Sequence, residues 1–468
     1  MTRAPGNASR ATSGTRFRLF PQPSFLDERE QPETVQVSRP PGTVGPGPAD
    51  DRMVVIDPRG KERPYGIRFI PGAGPVLDLP PWRGPIGPPA RPDAAGHFDH
   101  LPVGTRPFEL AHMYGTVRFV LDVWERYFGR TIPWHFAPAL PRLEMSTIDG
   151  WDNAHAGWGF LETGENVTAD GRVHPFSLNF DVLAHELGHL IIYGQVGIPD
   201  VETTVGEYFG FHEAAADLIA LIALLHFESV VDRLLAWTRG NLYVANELNR
   251  FAELSDNEQI RNASNAARLD AFASGWTDEH DLSLPLSGAL FDILVDIFHE
   301  ALRARRLITP DLEDLADQVE KRPEFEPLIQ ALFDQAYARD SGGFRRALLD
   351  TRDLLGVTLA EAFTRLSPHS LNYDDFGAAL LDADLEVTGG RHQRLISANL
   401  LWRGIGLIRV GPRLTPPDES SHAFSSRTAM PAEMEPPVRR LPYRVRWAMA
   451  KGGGAGTSAV IRSRCMNG

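Results

Sequence analysis

The stretch SLNFDVLAHELGHLIIYG, residues 177–194, decides how this chain is read. Within it His185, Glu186 and His189 spell H-E-x-x-H among apolar residues at helical spacing. Four residues along a helix advance about 400°, so His185 and His189 project from one face, a turn apart. Two imidazoles so placed can bind one Zn²⁺ and leave Glu186 beside them as a general base. The competing reading is an amphipathic helix whose histidine pair is satisfied by its neighbours. The rest of the chain has to supply what a metal site needs.

A hydrolytic zinc site commonly has three protein ligands and one open position. A metzincin would place its third histidine within H-x-x-G-x-x-H, but Ile192 and Gln195 stand where that motif has Gly and His, which excludes the class. Downstream, GEYFGFHEAAADLIALIALL (206–225) offers Glu213 and Asp217, again four apart on one helical face. Glu213 completes a three-ligand shell. Asp217 can accept the other ring N–H of a ligand histidine, which fixes its tautomer. His212 is the rival ligand, but it points about 100° away from Glu213 on that helix.

Composition sets the surroundings. The 468 residues, 43% hydrophobic and 23% charged, suit a globular protein with a large core. A net charge of −14 argues against nucleic-acid binding, which needs a basic surface. The single cysteine, Cys465, excludes an intrachain disulfide and a thiolate metal site. The N-terminus MTRAPGNASRATSGTRFRLFPQPSF lacks the apolar run of a secretory signal, and the longest apolar run, LIALIALLHF (218–227), is too short to span a bilayer. The expectation is a protein with no membrane partner, cytoplasmic by default, with export by another route left open.

Residues 1–105 hold about half of the 37 prolines and read as a mostly extended arm, with a strand or hairpin near RMVVIDPRG and YGIRFI. Such an arm either wraps the body or inhibits it. Residues 106–195 read as an upstream lobe, in which PFELAHMYGTVRFVLDVWERYFG is a long amphipathic helix and TIPWHF and RLEMST are strands. Residues 196–411 read as helical, with segments near 205–229, 230–251, 284–305, 311–320, 325–340, 342–354 and 358–366. Residues 412–468 read as an irregular basic tail, with 9 Lys/Arg against 4 Asp/Glu.

From about 107 to 305 the chain resembles the thermolysin-like gluzincin zinc metallopeptidases, with an echo of the fungalysins. FDVLAHELGH resembles their zinc helix, HEAAADLIA their Glu-x-x-x-Asp helix, and WDNAHAGW the edge strand that holds the substrate backbone. RFAELSD and EHDLSLPLSGALFDIL resemble the segments that carry the substrate contact and a transition-state histidine. The resemblance implies an α+β, two-lobed zincin-type fold, with a sheet-bearing upstream lobe and a mainly helical downstream lobe. It implies zinc on His185, His189 and Glu213, with Asp217 behind His185. Glu186 becomes the general base, and Asn153, Ala154 and Arg250 the substrate contacts; His280 is the candidate oxyanion donor against the reading of a surface histidine, and Tyr208 a second donor or else a packed aromatic. The implied activity is hydrolysis of internal bonds in a peptide or protein substrate.

This chain also departs from the family pattern. His280 lies seven residues before Ser287-Gly288, farther than in the family, and Ala252 stands where an arginine is expected, with Arg250 shifted nearby. Asp181 matches a calcium ligand of the family, but its partner position falls among leucines, which weakens the case for calcium. These departures motivate an alternative: a zinc-binding, catalytically weak protein whose cleft holds a partner or its own arm. Oligomeric state is not readable from the sequence.

Overall fold

A computed structural model describes residues 14–23, 31–70, 74–168, 170–244, 246, 248, 250–255, 258–276, 278–312 and 326–406. The tail from 412, and most of the helix expected over 311–320, lie outside the described residues.

Strands lie mainly in the N-terminal part and helices dominate downstream, the α+β arrangement expected. The proline-rich segment supplies five strands. β1 (Thr15–Leu19) and β2 (Glu33–Val37) form an antiparallel hairpin with Thr15 opposite Val37. Alternation buries Phe17, Leu19, Val35 and Val37. Phe17 meets Tyr114 at a ring separation of 5.4 Å, seating the hairpin on helix α1 (Arg106–Phe128). β3 (Met53–Val55) joins the main sheet, pairing parallel with β6 (Leu143–Thr147). β4 (Gly66–Ile70) and β5 (Gly74–Asp78) form a second hairpin. The main sheet has the order β3-β6-β8-β7, with β8 (Phe160–Thr163) parallel to β6 and β7 (Ala154–Ala156) antiparallel at the edge. β9 (Glu165–Val167) and β10 (Val173–Pro175) form a short hairpin that leads toward the next helix.

A buried polar cluster ties the proline-rich segment to this sheet. Lys61 Nζ lies 2.5 Å from Glu162 Oε1, and both side chains are buried. Glu162 also accepts from the Tyr65 amide at 2.6 Å and Ser146 Oγ at 3.1 Å, and lies 2.9 Å from His155 Nε2. Glu144 accepts from Tyr65 Oη at 2.6 Å. Each buried charge therefore has partners, the condition under which burial is tolerated.

α1 begins at a Thr105 cap and ends at Gly129, whose φ of 64° suits the left-handed cap position that glycine takes most easily. α2 (Phe180–Gln195) starts on Asn179, whose side chain accepts from the Val182 amide. α3 (Gly206–Leu224) packs against both α2 and α5 (Glu279–Ala304) at the centre of the core. α4 (Glu228–Thr238) lacks a cap of its own, and Glu33 of β2 accepts from Ser229 N and Oγ instead. A hairpin of β11 (Arg250–Ser255) and β12 (Glu258–Asn262) follows, with β11 beside α2. α6 (Glu326–Arg339), α7 (Ser341–Thr364), α8 (Tyr373–Thr388) and α9 (Gln393–Trp402) complete the body. α5 is long and apolar enough to cross a membrane, but 89% of its most apolar window is buried inside the protein.

Several boundaries differ from expectation. TIPWHF is a loop, whose Ile132, Trp134 and Phe136 are nonetheless buried. The helix expected over 230–251 stops at Thr238, where Arg239 and Gly240 both take positive φ. The break expected near Gly356 does not occur, and α7 runs through it with Gly356 against the ring of Tyr127. α5 starts five residues before the expected 284, on an Asp278 cap, and carries Pro285 inside it.

Candidate metal centre

α2 and α3 lie in close contact, and Gly188 makes that possible. A Cβ there would stand 2.7 Å from Ala216 Cα, so only glycine fits without displacement. With the helices this close, the side chains one turn apart on each meet. His185 Nε2 lies 3.3 Å from Glu213 Oε2, and His189 Nε2 lies 3.5 Å from Glu213 Oε1. Donor atoms of His185, His189 and Glu213 all lie within 4.8 Å of one another. Among the described residues this is the group of His, Cys, Asp or Glu side chains arranged to hold a metal ion. Two imidazoles and one carboxylate fit a zinc-type donor set, and calcium prefers oxygen ligands. Asp181 is buried but belongs to no such group.

Partners orient the ligand rings. Asp217 Oδ1 lies 2.9 Å from His185 Nδ1, leaving Nε2 to face Glu213. His212, the rival ligand, is outside the group and lies behind His189, with Nδ1 2.9 Å from His189 Nδ1. Glu186 is buried next to His185 on α2.

His280 reaches the same place from the first turn of α5. Asp278 accepts from the His280 amide at 2.8 Å and lies 2.9 Å from its Nδ1, while Nε2 stands 3.4 Å from Glu213 Oε2. The early start of α5 thus brings His280 to the centre despite its long spacing from Ser287-Gly288. Tyr208 is 3% exposed, packs on His212 at 5.1 Å, and its hydroxyl has no hydrogen-bond partner. Burial pushes its phenol well above the usual range.

β7 packs against α2, with Ala154 touching Phe176 and Val182. Asn153 is exposed just before that strand, and its side chain accepts from the Ala154 amide at 2.8 Å. Arg250 opens β11, but its side chain lies outside the described residues.

Sequence reasoning missed two contributors. Asp278 escaped because the start of α5 was placed too late. Tyr193 stands one turn beyond His189 on α2, with its ring 4.5 Å from His212 and 5.0 Å from His135. Burial raises its pKa, and the charges of Glu213 and Glu186 add to the effect. Its four-residue offset from His189 was the available signal.

No protein-family model matches this sequence, and no curated protein sequence matches it. Among solved structures it is similar to the precursor of protealysin, a metalloproteinase from Serratia proteamaculans, at 11% identity and a TM-score of 0.38. That match covers 80% of this chain and 92% of the other.

Proposed function

We propose that the chain is a zinc-dependent peptidase that hydrolyses internal peptide bonds. The observation that carries this reading is the convergence of His185, His189 and Glu213 within 4.8 Å, with Glu186 on the adjoining helical position. When bound, zinc supplies Lewis acidity toward a carbonyl and toward water near neutral pH. His185, His189 and Glu213 hold it. Glu186 takes a proton from the attacking water and delivers it to the departing amine. His280, with Nδ1 held by Asp278, would donate from Nε2 to the oxygen on which charge develops when its ring carries both protons. The sheet edge formed by exposed Asn153 and half-buried Ala154 receives an extended backbone as an added strand.

The test is Glu186→Gln, measured for zinc content and for casein hydrolysis. The variant is expected to keep one zinc and to lose at least about 10²-fold in turnover, the scale of a general base. Unchanged turnover removes Glu186 from this role. Zinc bound by the parent chain with no turnover on any unfolded protein supports the alternative of a binding cleft.

A further inference from the structure

The two candidate ligand histidines are backed by unlike groups. Asp217, a carboxylate, stands behind His185, and His212, an imidazole, stands behind His189. The His189 and His212 rings are 5.2 Å apart between centroids and 21° from coplanar, with Nδ1 to Nδ1 at 2.9 Å. That side-by-side placement is the geometry of an in-plane hydrogen bond. One proton lies between the two nitrogens, so one ring donates and the other accepts.

The centre decides which. His189 turns Nε2 toward Glu213 Oε1, so Nε2 is the atom that would offer a lone pair to a cation. A neutral imidazole that ligates through Nε2 carries its proton on Nδ1. His212 Nδ1 is then the acceptor, and His212 carries its own proton on Nε2. That Nε2 has no hydrogen-bond partner, so the Nδ1 contact is the polar contact shown for this ring. His212 is 4% exposed, and a ring that accepts at Nδ1 has a single proton to place on Nε2.

We propose that His212 is a positioning residue that fixes His189 as the Nδ1–H tautomer and aims its Nε2 at the metal. This rests on the metal-centre reading above. A neutral acceptor suits the place because Glu186, Glu213 and Asp217 already put three carboxylates around one dication. An imidazole orients the ligand without adding a fourth negative charge. Because His212 and Glu213 are adjacent, α3 supplies a ligand from one residue and the support of another ligand from the residue before it.

The experiment titrates zinc into the full-length metal-free protein against a chromophoric chelator, for the parent chain, His212→Leu and His212→Asn. His212→Leu is expected to bind about 10–100-fold more weakly, the usual effect of losing such a partner. His212→Asn, whose Oδ1 can take the same N–H, is expected to stay within about threefold of the parent. Parent affinity in His212→Leu, or an equal loss in both variants, overturns the proposal. A parent chain that binds no zinc overturns it together with the metal centre, whereas absent peptidase activity leaves this readout intact. Long-range ¹H–¹⁵N spectra of the zinc-loaded parent decide the matter even where His212→Leu fails to fold. The imidazole signals absent in His212→Asn must report a neutral Nε2–H ring, and a proton on Nδ1 of His212 overturns the assignment.

Discussion

Glu213 is the residue on which the centre closes. Its two oxygens face different histidines of one helix, and His280 approaches the Oε2 side from another. His185, His189, Glu213 and Asp217 were legible because each pair obeys a four-residue offset, which local helical geometry converts directly into a shared face. The His280–Asp278 contact was not, because it depends on where α5 begins, a matter of capping rather than periodicity. Tyr208 is buried, in keeping with its reading as a packed aromatic. The contact between Asp217 and His185 gives a residue-level prediction. Asp217→Asn should weaken zinc binding about 10–100-fold while leaving the fold in place. Chelator competition and a melting curve check it, and unaltered affinity refutes the orienting role.

At the scale of elements, the centre depends on how closely α2 and α3 approach. Gly188 against Ala216 sets that distance, and its replacement has nowhere to go because the obstructing atom is backbone. Gly188→Val is expected to cost about 1–3 kcal/mol, as overpacking does. It should also weaken zinc binding, because parting the helices moves Glu213 from both imidazoles. Urea unfolding and zinc titration of the same sample test both effects, and full stability with full affinity contradicts the packing argument. Element boundaries were the least legible part of the fold. Gly356 looked like a break but serves close contact with Tyr127. Pro285, one residue past the start expected at 284, lies inside α5, in a region where Tyr373 Oη donates to the Leu282 carbonyl at 2.6 Å. Gly240, which does mark an end, was read through.

Across the whole molecule, burial leaves histidines that resist protonation. His112 and His299 are lowered to about 4 and His226 to about 3, each chiefly by burial. These values lie below the ordinary 6.5, so just under that pH the unfolded chain takes up protons that the folded chain refuses. Stability therefore falls as pH falls from 6.5 toward 4. With these three groups and His135, which burial likewise lowers to about 4, the slope near pH 5 approaches about 5 kcal/mol per pH unit. Urea unfolding of metal-free protein between about pH 6 and pH 5 measures it, and a drop smaller than one proton's share, about 1.4 kcal/mol, contradicts this account.

The parallel ladder between Met53–Val55 and Leu143–Thr147 carries a consequence for how such a chain is brought into use. The proline-rich segment holds one border of the sheet whose opposite border is the half-buried strand β7, packed on the helix that carries His185 and His189. A cut at residue 105 would therefore part β3 from β6, because the segment before it is built into the scaffold as well as laid over it.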